Sequence, residues 1–232
     1  MTDNRQVIID SLPEGKLQES NYRIETSPAP EPEADEVLCR TLAVTIGAGT
    51  RAGLQGSASY AGAPRTNIVM NGLGVARVEK SKADGFSEGD LVTCSSGWQD
   101  YSVHKGEILT RVEDDIDPAH YLGALGTNGL TAYFGLLRVG EPRSGETVLV
   151  SAAAGSVGHL VGQIAKLKGC KTVGITSTPE KCHLLEDKLG YDSSVSHRSE
   201  DFRQDLKAAC PAGVDIYFDN TGGDILGLAL FR

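Results

Sequence analysis

The sequence has no long apolar run, no closely spaced cysteine pair and no surplus of basic residues, and each absence removes a class of function. A membrane-spanning helix needs about 20 consecutive apolar residues, and none occur here. The start, Met1-Thr2-Asp3-Asn4-Arg5, is polar and carries an acid, unlike a secretory leader. The five cysteines (Cys39, Cys94, Cys170, Cys182, Cys210) are odd in number and widely spread, without CxxC spacing. That pattern argues against a zinc site or a disulfide framework and for reduced thiols in a cytoplasmic protein. The net charge is −9, so neither nucleic acid nor an anionic membrane is an expected partner, since both demand a basic face. A local basic pocket for a phosphate is compatible with that total. What remains is an ordinary soluble composition, 40% hydrophobic and 23% charged, over 232 residues, enough for one large or two moderate domains.

Two halves differ in pattern. Val37–Val44, Gly72–Glu79 and Leu91–Cys94 are short strands separated by Gly, Pro and Asp turns, which suggests a small barrel or sandwich. The proline-rich Ser27–Pro32 reads as extended surface chain. From about residue 120 the pattern changes. Thr127–Leu137 looks helical, and Thr147–Ser151 is the apolar run of a buried parallel strand. Helices over 156–168, 179–189 and 199–209 then alternate with strands over 171–175, 193–195 and 214–218, which predicts a doubly wound parallel sheet. The expected class is α/β, with domains at 1–122 and 123–232. In the first of these helices Val157, Leu160, Val161, Ile164, Ala165 and Leu167 form an apolar stripe, closed by Gly169. The next helix opens with Thr178 as N-cap and Pro179 at its first position, and Gly190 ends it.

The chemistry is expected at Ala152-Ala153-Ala154-Gly155-Ser156-Val157-Gly158. A strand that turns through glycine into a helix presents free N–H groups and the positive helix end to an anion, so a pyrophosphate binds there. Gly155 permits close backbone approach and Gly158 lets the helix pack tightly, although Ala153 replaces the first glycine of the usual three. After the second strand, where an NAD enzyme carries an acid for the ribose hydroxyls, this chain has Thr176-Ser177-Thr178-Pro179-Glu180-Lys181. Small hydroxyls and Lys181 suit a 2′-phosphate, with Glu180 turned outward, so NADPH is favoured over NADH.

Those residues, with Val161–Cys170, Tyr217-Phe218-Asp219-Asn220-Thr221-Gly222-Gly223, Gly129–Leu137 and Gly97–Tyr101, resemble the prostaglandin reductase and leukotriene B4 dehydrogenase family of zinc-independent medium-chain reductases. Its bacterial members include curcumin reductase-like alkenal reductases. The resemblance implies a GroES-like β-barrel followed by a Rossmann domain. It also implies NADPH-dependent reduction of the C=C bond of α,β-unsaturated ketones or aldehydes, with a homodimer as the family's assembly. By position it assigns Gly155, Ser156, Val157 and Gly158 to the pyrophosphate and Lys181 to the 2′-phosphate. Asn220 matches a cofactor-binding asparagine, and His197 stands where the family often has a tyrosine beside that phosphate, with Arg198 adjacent. It implies no metal, because Asn71-Gly72-Leu73-Gly74 stands where zinc-dependent relatives have a His-Glu pair. Hydride delivery to the β-carbon is followed by enolate stabilisation and protonation. A quinone oxidoreductase and an inactive nucleotide-binding remnant are the alternatives.

Two departures from the family stand out. Gly47-Ala48-Gly49-Thr50-Arg51 replaces an Asp-Pro-Tyr-Met-Arg-like segment, which keeps the arginine and loses the aromatic hydroxyl; Tyr60 is read as a loop residue packed on the barrel. Family chains also continue well past residue 232. The sequence is therefore expected to be a truncated form, a fragment or an incomplete gene model, with strand 214–218 left at an uncovered edge and cofactor binding expected ahead of turnover.

Overall fold

In a computed structural model, which describes residues 2–56 and 63–231, the chain divides into two compact units, Met1–Leu122 and Gly123–Arg232. The first is β-rich. Strands β1 (Asp3–Ile9) and β2 (Tyr22–Pro28) form an antiparallel hairpin. Five more, β3 (Glu36–Val44), β4 (Gly74–Ser81), β5 (Leu91–Cys94), β6 (Tyr101–Lys105) and β7 (Thr110–Val112), make an antiparallel sheet in the order β6-β3-β4-β5-β7. Val37, Cys39, Ala76, Val78, Val92 and Cys94 form a core on one face by period-two alternation, and the alternate residues Leu38, Val75 and Leu91 are buried as well.

The second unit carries a four-stranded parallel sheet of β8 (Thr147–Val150), β9 (Lys171–Thr176), β10 (Ser193–Ser196) and β11 (Ile216–Phe218), in the order β10-β9-β8-β11. Helices α3 (Gly158–Leu167), α4 (Pro179–Lys188) and α5 (Phe202–Ala209) link them, and α6 (Gly223–Ala229) follows the last strand. In the first unit α1 spans Ala48–Leu54, and in the second α2 spans Thr127–Phe134. Val148, Leu149 and Val150 are fully buried, which is why β8 shows a continuous apolar run rather than alternation. Helix α3 lies close to the sheet because Gly158 and Gly162, one turn apart, present no side chain on that face. A Cβ on Gly162 would stand 2.2 Å from the Tyr191 ring, and the Tyr191 hydroxyl donates to the Gly158 carbonyl at 2.6 Å.

Several boundaries differ from expectation. The predicted stripe of α3 includes Leu167, yet that side chain is 87% exposed, while Val161 and Ala165 carry the burial; Leu167 is the last helical residue and has turned past the sheet. The helix expected over 127–137 is α-helical only to Phe134 and continues as a π-helical turn, Gly135–Gly140. The segment Gly47–Arg51, which departs from the family pattern, caps and opens α1. Tyr60 lies outside the described residues. All five cysteines are free thiols, and among the described residues no helix is long and apolar enough to cross a membrane.

Candidate functional site

The strand order reverses between β8 and β11, since β9 and β10 lie on one side of β8 and β11 on the other. In such sheets the crevice at the carboxyl ends of the strands beside that reversal is where ligands bind. Here β8 ends at Val150, and the chain passes through Ser151 and turns through Ala152–Val157 into α3. Ala152 holds a left-handed backbone at φ +46°. Gly155 closes the turn with its N–H on the Ala152 carbonyl at 2.8 Å. A Cβ on Gly158 would lie 2.5 Å from that same carbonyl, so only glycine lets α3 start this close to the turn. The N–H groups of Ser156, Val157 and Gly158 have no acceptor among the described residues. Three unpaired donors at the start of a ten-residue helix make an anion cradle.

Beside the turn is a cleft of about 160 Å³ walled by Ala152, Gly155, Ser177, Lys181, His197 and Thr221. Lys181 and His197 arrive from different elements. Lys181 sits in the first turn of α4, whose N-cap Thr178 accepts the Lys181 N–H; His197 follows β10 and is fixed by its N–H on the Thr176 carbonyl at 2.9 Å. Lys181 makes no ion pair among the described residues. Glu180 bonds back to its own N–H and to Thr178, which lowers its carboxyl and keeps it out of the cleft wall. Gly155, Lys181 and His197 are thus brought together. Ser156, Val157, Arg198 and Asn220 lie outside the cleft wall.

Asn220 is engaged elsewhere. Its side-chain amide donates to the Ser151 carbonyl at 2.9 Å and its backbone N–H to the Ser151 hydroxyl at 2.7 Å. Ser151 in turn donates to Asp219 at 3.0 Å. Asp219 also accepts from the Tyr217 hydroxyl (2.9 Å) and from the N–H groups of Thr221 (3.0 Å) and Gly222 (2.9 Å). Burial pushes its carboxyl up, but these hydrogen bonds outweigh it and hold it at about 2. In the sequence Asp219 stands only as one residue of Tyr217–Gly223; its local bonds are those of an ordinary turn, and the one that reaches the glycine turn runs to Ser151, 68 residues away.

In the first unit, a larger cleft of about 500 Å³ runs along α1, lined by Gly49, Thr50, Gly53, Leu54, Met70 and Arg65. Arg51 is not part of that wall. No group of three or more His, Cys, Asp or Glu side chains among the described residues is arranged to hold a metal ion.

Residues 5–112 match the family described as N-terminal domain of oxidoreductase, and residues 156–231 the family described as zinc-binding dehydrogenase. The chain is 40% identical to the NADPH-dependent curcumin reductase of Escherichia coli, covering 98% of this chain and 66% of that protein. It is 39% identical to a 2-alkenal reductase (NADP(+)-dependent) of Nicotiana tabacum, covering 98% of this chain and 68% of that one. The crystal structure of CurA in complex with NADPH from Vibrio vulnificus superposes with a TM-score of 0.92 at 37% identity, over 97% of this chain and 67% of that one. The chain therefore spans about two thirds of its relatives' length. It belongs to the medium-chain dehydrogenase/reductase family, in the group of the curcumin, prostaglandin and alkenal reductases.

Proposed function

We propose that the protein binds NADPH in the second unit and acts as a reductase of the C=C bond in α,β-unsaturated ketones and aldehydes. The observation that carries this is the pairing of an anion cradle with a cationic cleft at the carboxyl ends of neighbouring strands: unpaired N–H groups at Ser156–Gly158 after β8, and Lys181 and His197 after β9 and β10. The likeness to curcumin and alkenal reductases and to the NADPH complex supports it.

The residues present fit the cofactor. Gly155 and Gly158 leave backbone exposed where a Cβ would crowd the turn, so the pyrophosphate reaches the N–H groups of Ser156, Val157 and Gly158. Lys181 supplies a charge-assisted bond to the 2′-phosphate, and the Ser177 hydroxyl and His197 ring flank it. Among the described residues no carboxylate lines this cleft, which removes the group that would favour a free ribose hydroxyl. Asn220, whose amide is held by the Ser151 carbonyl, would act on the cofactor through its remaining amide atoms. Bound NADPH supplies the hydride; the protein supplies orientation and electrostatics.

Lys181→Ala tests the assignment. A charge-assisted bond is worth roughly 1.5–3 kcal/mol, so NADPH affinity, read by nicotinamide fluorescence, should fall about tenfold while NADH affinity stays nearly constant. Equal loss for both refutes the 2′-phosphate role. The reaction class is tested by following NADPH oxidation with an enone and with a quinone at full cofactor occupancy. Turnover of the enone alone supports the C=C reading, turnover of the quinone alone replaces it, and failure of both removes it.

A further inference from the structure

Asp219 follows β11 beside the end of β8, and one oxygen of its carboxylate, Oδ1, collects most of its hydrogen bonds. Its Oδ1 accepts the Ser151 and Tyr217 hydroxyls and the Thr221 N–H, and both of its oxygens lie within reach of the Gly222 N–H, at 2.9 and 3.1 Å. Ser151 is fully buried and is stitched a second and third time by Asn220, at the hydroxyl and the carbonyl. The next residue is Ala152, which lines the cleft and holds φ +46°. Thr221 lines the same cleft. One carboxylate therefore ties the start of the glycine turn to the loop that precedes α6.

An acid beside a phosphate site is ordinarily unfavourable, because like charges repel across a partly desolvated gap. Here two backbone N–H groups and the hydroxyls of Ser151, Tyr217 and Thr221 converge on Asp219 and offset its charge. The same convergence over-determines the local backbone. A left-handed alanine is costly and persists only where neighbours hold it, and the Ser151 clamp is the neighbour in question.

We propose that Asp219 is a positioning residue of the cofactor cleft: through Ser151 it fixes the turn at Ala152, and through Thr221 and Gly222 it fixes the opposing wall. This deepens the NADPH reading and rests on it. The turn would hold the pyrophosphate, which both nicotinamide cofactors carry, whereas Lys181 would hold the 2′-phosphate, which only NADPH carries. Loss of Asp219 therefore weakens NADPH and NADH together and leaves the preference between them intact.

The test uses the full chain, NADPH and NADH fluorescence titrations well below the unfolding midpoint, and the variants Asp219→Asn, Ser151→Ala and Tyr217→Phe. For Asp219→Asn both dissociation constants should rise about tenfold, the size of one lost charged hydrogen bond, with their ratio unchanged. A folded Asp219→Asn with wild-type affinity overturns the proposal and leaves Asp219 merely structural, as does a shift in the NADPH/NADH ratio like that of Lys181→Ala. Should Asp219→Asn not fold, the single-donor variants decide. Weakening of both cofactors, larger for Ser151→Ala than for Tyr217→Phe, supports the proposal, because only Ser151 also accepts from Asn220; unchanged affinity in both overturns it. A wild-type chain that binds neither cofactor fails the NADPH reading itself, which the variants do not address.

Discussion

Ala152 is where sequence and site diverge most at the scale of one residue. The three-alanine run before Gly155 gives no sign of which alanine must adopt the left-handed conformation, yet the structure puts it at Ala152, with φ +46°. For an L-residue with a Cβ this conformation costs roughly 1–2 kcal/mol. Glycine would remove that cost but adds about 0.5–1 kcal/mol of unfolded-chain entropy. Ala152→Gly should therefore be neutral to stabilising, by at most about 1.5 kcal/mol, whereas Ala152→Val should cost more than about 1 kcal/mol, since a β-branched residue suits this region least. Chemical denaturation of the two variants checks the contrast, and similar losses in both would contradict the strain. Gly155, Gly158, Thr178 and Pro179 were legible because their reasons are local: a turn, a helix start, a cap. Asp219 was not, because its meaning depends on a partner at Ser151, and hydrogen bonds across 68 residues leave no periodic trace.

At the scale of elements, legibility followed burial pattern. β8 and β9 were readable since both faces are covered, and α4 carried its own punctuation. The hairpin β1–β2 carries no clean alternation: β1 buries the polar Asn4, 2% exposed and bonded to the Tyr101 backbone at 2.9 and 3.0 Å, together with the adjacent Ile8 and Ile9, so no period of two marks it as a strand. The π-helical turn after α2 was missed for a different reason: a Cβ on Gly135 would stand 2.8 Å from the Phe218 ring, and that close approach exists only once the sheet has formed. The packing of α3 gives the sharpest test at this scale. Gly162→Ala puts a methyl into the Tyr191 ring, and overpacking of this kind costs typically 1–3 kcal/mol. Because Tyr191 also holds the Gly158 carbonyl, the variant should lose cofactor affinity along with stability. Unchanged thermal unfolding would mean that Tyr191 has room to move.

The whole molecule carries a strong excess of acid, and its response to pH follows from where the carboxylates sit. Asp219 is held at about 2, below its ordinary value of 3.8, by hydrogen bonds that outweigh its burial. Asp192 is likewise lowered: burial opposes this, and the Lys166 ammonium and the Thr172 N–H and hydroxyl overcome it. Asp90 and Asp114 are lowered in the first unit, chiefly by the Ser87 N–H and by the Arg77 guanidinium respectively. A carboxyl whose folded value is depressed stabilises the fold wherever it is ionised in both states. That stabilisation is complete above the unfolded value and is lost as the pH drops toward the folded one. The window for Asp219 accordingly lies between 3.8 and about 2. Stability should be nearly flat from neutral pH to about pH 5 and then fall steeply, as expected for acid unfolding through paired carboxylates. In Asp219→Asn the curve should start lower at neutral pH and lose part of its acid slope, because the group that must be protonated is gone. Circular dichroism melts at stepped pH separate the two curves. An Asp219→Asn profile parallel to wild type down to pH 2 would show that the carboxylate's hydrogen bonds are replaced by water, and that the acid limb belongs to the other acids.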